Sequence, residues 1–540
     1  MTSRRAFYKK KTVLVVDDSD QIRSYLKSML ILIGFDDVVL ARDAEMAMTL
    51  CRRHSFDFVL SDFHLGRGRD GYQLFEVLRS ERLLKANCCF LVVSAERQRA
   101  SVYGMIEFQP DDYLLKPFSY AELERRIGRS FHLRQALLSV YQAIFNNNYD
   151  EAVLACDEVI AHKSKYALHA SRLKAELLIK LERPSEAQAI YQWALSIREF
   201  PWAQLGLAIA LGYQGQHDAA EAMLHELTAR AETKVEALDW LTRLYISQQK
   251  PTEALTAVEQ VAKVSPRNYL RQHVLATLAV IDNQKDLAVQ VYYKLLAAAK
   301  YSMYDTPDNM LNYARALVEQ AQTLPESEKA QQISKVESFI HGIKKRFHPS
   351  SYEHDRAVVE ARLLLLQGKK AKALQLLRQS EELSHDKPVS AMGMLDRARA
   401  YFESGNLAMC DHYITALSTV TQDDNIYCSA LQLMMQHEQK KYQQLREQLM
   451  QQNAEGMQAF GGGDYAMAID YFHSALLSMP ANGNVALNLL QAIAMSTKLK
   501  PEWRAMAEDC IDLLNQAPLS LEQQKRFSLL RQQMHRLTGN

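Results

Sequence analysis

Short apolar runs separated by amphipathic stretches fill the first 130 residues, and beyond them the pattern changes character. The runs lie at 12–16 (TVLVV), 38–40 (VVL), 56–61 (FDFVLS), 88–93 (CCFLVV) and 113–115 (YLL), and they are mostly β-branched or aromatic. Continuous rather than alternating apolarity is what a strand needs when both faces of its sheet are covered. Helical periodicity occupies the intervals at 20–33, 43–53, 71–84, about 97–107 and 121–131. Five βα units in one run predict a doubly wound α/β domain with a five-stranded parallel sheet over residues 11–130.

From residue 133 strand signals vanish and a helix-turn-helix pattern takes over. Ala152, Ala187, Ala220, Ala254 and Ala288 each open an Ala-x3-apolar-x2-apolar stretch, at spacings of 35, 33, 34 and 34 residues. The partner positions are Cys156 and Val159, Tyr191 and Ala194, Leu224 and Leu227, Val258 and Val261, and Tyr292 and Leu295. A small residue at the first position lets one helix approach its neighbour, and residues four and seven later share that face. A period near 34 residues resembles tetratricopeptide repeats, which implies an all-α solenoid over 133–300. Residues 301–350 break the period and read as an irregular helical segment or hinge. Over 351–540 the repeat resumes around Ala373 and Cys410, with its clearest copy at 455–480, where Gly456, Ala468, Phe472, Ala475 and Pro480 hold repeat positions.

Composition agrees with a helical chain. The 540 residues include only 19 Gly and 13 Pro, each about half its ordinary share, which argues against an all-β protein. Net charge is +1, and after residue 130 there are 43 basic against 45 acidic residues, so a nucleic-acid partner is not expected. The seven cysteines, at 51, 88, 89, 156, 410, 428 and 510, form no C-x-x-C pair and predict neither a disulfide framework nor a zinc site. The first apolar run stops at Asp17, too short for a signal-peptide core, and none reaches the roughly 18 residues of a membrane span. No membrane insertion and a cytoplasmic location are the expectations.

In doubly wound sheets the ligand sits beyond the carboxyl ends of the strands. Those ends carry Asp17 and Asp18, Asp62, Ser94, and Lys116. Three carboxylates suit a hard cation such as Mg2+, which takes one or two carboxylates, waters and a phosphate. A lysine and a serine beside it suit the oxygens of a phosphoryl group. The predicted chemistry is phosphoryl transfer to an aspartate.

The segments VLVVDDS, VLSDFHL, VVSA and DDYLLKPF, each at a strand end, resemble a response-regulator receiver domain, the CheY-like, flavodoxin-like phosphoacceptor module of two-component signalling. The resemblance implies that Asp62 is phosphorylated. It implies that Asp18, Asp62 and the backbone carbonyl of His64 hold Mg2+ while Asp17 orients metal-bound water. Lys116 would pair with the phosphate and Ser94 with one of its oxygens, and Ser94 with Tyr113 would form the switch. His64 and Glu96 would flank the route of attacking water. One departure stands out: the loop of residues 64–71 (HLGRGRDG) is a residue longer than the family's, with Gly66 where proline is usual. Plainer readings are a half-buried strand aromatic for Tyr113, a solvated loop face for Arg67 and Arg69, and strand packing for Cys88 and Cys89.

The repeats carry no H-E-x-x-H and no nucleophile elbow, and Gly461 to Gly463 read as a turn. His217, His273 and His412 read as surface or packing residues, and Trp202 and Trp240 as repeat packing. The whole then reads as a response regulator that takes its phosphoryl group from a sensor histidine kinase or phosphotransfer protein and binds a protein in the repeat groove. It is not expected to be an enzyme apart from self-phosphorylation and self-dephosphorylation, and a homodimer is left open. The alternatives are a phosphorylation-independent scaffold with a vestigial receiver and, less favoured, a DNA-binding regulator.

Overall fold

Val13 to Val16 are completely buried, but successive residues enter different cores. Val13 and Val15 join Leu30, Phe35, Phe58, Leu91 and Ile127 on one face of a sheet, while Leu14 and Val16 join Met48, Phe63, Leu74, Phe75 and Phe90 on the other. Alternating side chains of one strand thus feed two cores, and this is why the strands read as unbroken apolar runs. The computed structural model describes residues 8–95, 110–385, 387–420, 425–478, 482–496, 500–516 and 519–538.

The strands are β1 (Thr12–Val16), β2 (Asp37–Ala41), β3 (Phe58–Ser61), β4 (Cys89–Ser94) and β5 (Asp112–Leu115), all parallel in the order β2-β1-β3-β4-β5. The order reverses at β1, so the crevice for a ligand opens where β1 and β3 end. Helices α1 (Asp20–Ile33), α2 (Ala44–Arg53), α3 (Gly71–Ser80) and α4 (Tyr120–Ala136) cover the sheet. Asp43 caps α2 by accepting from the Met46 amide at 2.8 Å, and Asp70 caps α3 in a reciprocal capping box with Gln73. The helix expected at about 97–107 lies outside the described residues.

Two helix C-terminal ends differ from the sequence expectation. Helix α3 stops at Ser80 because Arg82 takes a left-handed conformation (φ 54°), which turns the Leu83 amide back onto the Leu78 carbonyl at 2.9 Å. Helix α4 runs past 131 to Ala136, anchored by Arg134, which donates to Asp111 at 2.8 Å and to the Ala86 carbonyl at 2.9 Å.

Beyond α4 the described elements are helices, paired largely as antiparallel hairpins. The register alanines at 152, 187, 220 and 254 are fully buried and Ala288 almost so. Of their ten partner positions nine are buried and Val159 is packed at the edge of the same core. Trp202 packs against Tyr191 and Phe200, and Trp240 against Tyr213. His273 is buried beside Tyr269, whose hydroxyl lies 2.6 Å from its Nε2, while His412 is exposed. Residues Pro307–Ala321 and Glu326–Ile343 form a helix pair with a short 3-10 turn after it. The copy expected at 455–480 borrows its first helix from the end of a 36-residue helix, Ile426–Gly461, and Gly463 (φ 80°) makes its turn. Pro480 lies outside the described residues.

The chain divides into two compact units, Met1–Leu275 with Lys294–Asp305, and Ala276–Tyr293 with Thr306–Asn540. The second contains a buried ionic network. Arg362, 1% exposed, donates to Glu319 at 2.7 Å, Asp396 at 2.8 Å and Glu403 at 2.6 Å. Arg399 meets Glu438 at 2.6 Å and Glu319 at 3.1 Å, Arg315 meets Asp308 at 2.6 Å, and Arg397 meets Asp355.

The seven cysteines form no disulfide, and six of them are buried. Burial pushes the thiols of Cys51, Cys156, Cys410 and Cys510 up, which suits packing rather than reactivity. No helix among the described residues is long and apolar enough to cross a membrane.

Candidate functional site

Strand β1 delivers Asp17 and β3 delivers Asp62 to the same rim, because the pairing of Val16 with Ser61 puts the two following residues side by side. The Asp62 amide continues the ladder by donating to the Val16 carbonyl at 2.8 Å, and the Lys116 amide donates to the Ser94 carbonyl at 2.8 Å. Asp17, Asp18 and Asp62 each offer a carboxylate oxygen, and the three lie within 4.8 Å of one another.

The site is graded in burial. Asp17 is 1% exposed, Asp62 is half-buried, and Asp18 faces solvent. Lys116 reaches between two of them, with Nζ 2.8 Å from Asp17 Oδ2 and 2.8 Å from Asp62 Oδ2. The second oxygens are also engaged: Asp17 Oδ1 accepts from the Ser19 amide at 2.9 Å and Asp62 Oδ1 from the Phe63 amide at 2.6 Å. Burial raises the Asp62 pKa, opposed by the hydrogen bond and charge of Lys116 and reinforced by the neighbouring Asp17. Burial alone would lower the Lys116 pKa, but its hydrogen bonds and charge contacts with both aspartates outweigh it and the net shift is upward. The donor set, oxygen-only and clustered, fits a hard divalent cation.

The other sequence-predicted residues occupy the same end of the sheet with different exposure. Ser94 is completely buried at the end of β4, and Tyr113 is half-buried on β5 against the core that contains Phe63 and Phe90. His64 is exposed on the loop after β3, its ring edge-on to Phe63 at 4.8 Å. Arg67 faces solvent, whereas Arg69 turns to Glu45 on α2. Glu96 lies outside the described residues. A residue that sequence reasoning passed over is Arg23 on α1, buried and donating to the Asp17 carbonyl. Its signal is position alone, one turn into the helix that follows the Asp17–Asp18 pair.

Two glycines shape the loop after Asp62. Gly66 (φ 75°) and Gly68 (φ 106°) take left-handed conformations that disfavour side chains. Gly71, at the start of α3, is required for a different reason: a Cβ there would stand 2.0 Å from the backbone oxygen of Asp62.

Residues 13–128 match the response regulator receiver domain and residues 205–269 a tetratricopeptide repeat. The chain is 34% identical over 139 residues to a probable transcriptional regulator, ycf27, of Porphyridium aerugineum, a match covering 26% of this chain and 53% of that one. It is 28% identical over 123 residues to chemotaxis protein CheY-3 of Vibrio cholerae, covering 23% of this chain and 93% of CheY-3. Among solved structures, the receiver domain of the Francisella response regulator 1452 is 28% identical, with a TM-score of 0.21, over 23% of this chain and 98% of that one. The chain therefore carries a response-regulator receiver domain followed by a helical region with tetratricopeptide repeats. The chain spans about half the length of the ycf27 regulator.

Proposed function

We propose that this chain is a two-component response regulator in which a sensor histidine kinase or phosphotransfer protein phosphorylates Asp62, and in which the repeat array binds a protein partner with an affinity set by that phosphoryl group. The observation that carries the reading is the meeting of Asp17, Asp18, Asp62 and Lys116 at the rim where β1 and β3 end. In this reading a carboxylate oxygen of Asp62 attacks the phosphorus of the donor's phosphohistidine, an O–P bond forms, the N–P bond breaks, and the imidazole leaves with the donor. Asp18, Asp62 and the His64 carbonyl would hold Mg2+, which when bound would neutralise charge on the transferred group. Asp17 would help hold the cation through an intervening water. Lys116 already lies against Asp62 and pairs with the phosphoryl oxygens, and Ser94 takes one of them while Tyr113 answers the movement. The array contributes a protein-binding surface, the usual service of stacked helical repeats, and the site of action is the cytoplasm.

Replacing Lys116 by methionine is expected to leave the Asp17 and Asp62 carboxylates facing each other without their shared cation. In chelator the receiver should lose about 1–3 kcal/mol, the order expected when a buried polar group loses its partner. Added Mg2+ should then recover a larger increment of thermal midpoint than in the wild type. An increment no larger than the wild type's would contradict the placement of the cation among these carboxylates.

The output half is tested by comparing the proteins retained by the immobilised chain with and without beryllofluoride and Mg2+, using Asp62→Ala as control. A partner whose retention changes by about tenfold, equivalent to 1.4 kcal/mol, and only when Asp62 is present, is the expected result. Equal retention in all three states would replace the reading with a phosphorylation-independent scaffold.

A further inference from the structure

The loop that follows the phosphoacceptor should be hard to hold in place. It runs eight residues from Asp62 to Asp70 without a proline and contains two glycines with left-handed backbone, Gly66 and Gly68. Glycine loses more conformational freedom on ordering than any other residue, and the loop carries the His64 carbonyl at its near end. Something must supply the order that its own sequence lacks.

Within the first compact unit that order comes from the repeat array. Arg267, just after Pro266, lays its guanidinium 4.9 Å from the centroid of the Phe63 ring and places Nη1 3.2 Å from Asp70 Oδ2. Phe63 is the residue after the phosphoacceptor and Asp70 is the cap of α3, so one side chain grips both ends of the loop. Arginine suits both jobs because its planar group stacks on a ring while its edge donates to a carboxylate. The two gripped residues are tied to each other through the intervening backbone, since the Gly71 amide donates to the Phe63 carbonyl at 2.8 Å. Two more contacts extend the seam along α3. Gln73 Nε2 donates to the Lys300 carbonyl at 3.4 Å, and Tyr304 hydrogen-bonds the buried carboxylate of Glu76. Tyr304 is itself held by stacking on Tyr269, with ring centroids 3.8 Å apart.

We infer that Arg267 is a positioning residue for the phosphorylation site, supplied by the helical array: it orders the loop after Asp62, and phosphorylation and array docking are thereby coupled. The inference rests on the proposed phosphorylation of Asp62 for its functional half and on geometry alone for its structural half. Linkage then requires reciprocity: whatever docking adds to cation affinity at the site, the bound cation adds to docking.

The test uses the full chain, with Arg267→Ala, Arg267→Lys and Tyr304→Phe. Arg267 is an exposed side chain, so its removal leaves the fold intact. Hydrogen–deuterium exchange of the segment 63–76 is read without Mg2+, and the Mg2+ concentration for half-maximal labelling by acetyl phosphate is read in parallel. For Arg267→Ala we expect exchange of this segment to quicken, and the half-maximal Mg2+ to rise, by about three- to tenfold, the worth of one partly exposed cation–ring contact with an ion pair. Arg267→Lys should fall between, keeping the charge and losing the stack, and Tyr304→Phe should shift exchange in the same direction by less. Unchanged exchange in Arg267→Ala overturns the clamp. Faster exchange with an unchanged Mg2+ requirement overturns the positioning role. Failure of the wild type itself to label counts against phosphorylation of Asp62 and not against the clamp, which the metal-free exchange tests separately.

Discussion

Arg362→Ala is expected to cost the second compact unit about 3–5 kcal/mol, the usual loss when one partner of a buried charge cluster is removed. Arg362 is 1% exposed and is shared by Glu319, Asp396 and Glu403, so its removal leaves three carboxylates crowded with less cationic compensation. The lost volume adds a cavity to the electrostatic penalty. At about 2–4 °C per kcal/mol for a unit of this size, the thermal midpoint should fall by roughly 10 °C. The pH dependence gives a second signature. Burial would raise the Glu319 pKa, but the charges of Arg399 and Arg362 overcome it and bring it from 4.5 down to about 2. A carboxylate depressed on folding contributes stability that is present above the unfolded value near 4.5 and lost as pH falls through the folded value near 2. With Arg362 gone that depression shrinks, so acid unfolding of this unit should begin at a higher pH. Melting curves of the two proteins between pH 2 and pH 7 check both statements, and a variant that melts with the wild type would show that the cluster contributes no net stability.

Gly71→Ala is the second large effect. The added methyl would meet the Asp62 carbonyl oxygen at 2.0 Å and the Phe63 Cα at 3.1 Å, and both are backbone atoms that cannot swing aside. Either α3 retreats from the sheet or the phosphoacceptor does. Overpacking of this kind costs about 1–3 kcal/mol, and displacing a reacting group by about 1 Å can cost 10²-fold in rate. The expected result is a receiver that melts lower and accepts a phosphoryl group from acetyl phosphate about a hundred times more slowly. Measured by intact mass against time, labelling at the wild-type rate would mean that the loop and α3 can shift without disturbing Asp62.

How far the sequence reveals this molecule depends on whether a feature is local. The strands are legible because Leu14 and Val15 point into different cores, which forces Val13 to Val16 all to be apolar. The repeat register was legible because close helix approach selects alanine at 152, 187, 220 and 254. The carboxylates and lysine of the site could be placed together because a parallel sheet brings all strand ends to one rim. The buried ionic network was not legible. A stretch such as LDRARAYFESG reads as a helix with a solvated charged stripe, and only packing reveals that Asp396, Arg397 and Arg399 lie inside. Nor could periodicity pair Arg267 with Asp70, 197 residues away, since an arginine after a repeat-closing proline is ordinary surface chemistry. Nor could it pair Glu76 on α3 with Tyr304; desolvation first and Asp70 in addition push the Glu76 pKa to about 7.

The most direct test is the intact mass of the full chain after incubation with acetyl phosphate and Mg2+, beside Asp62→Asn. A single phosphoryl adduct that requires both Mg2+ and Asp62 is the expected result. An unmodified wild type, or an adduct that persists in Asp62→Asn, would contradict it.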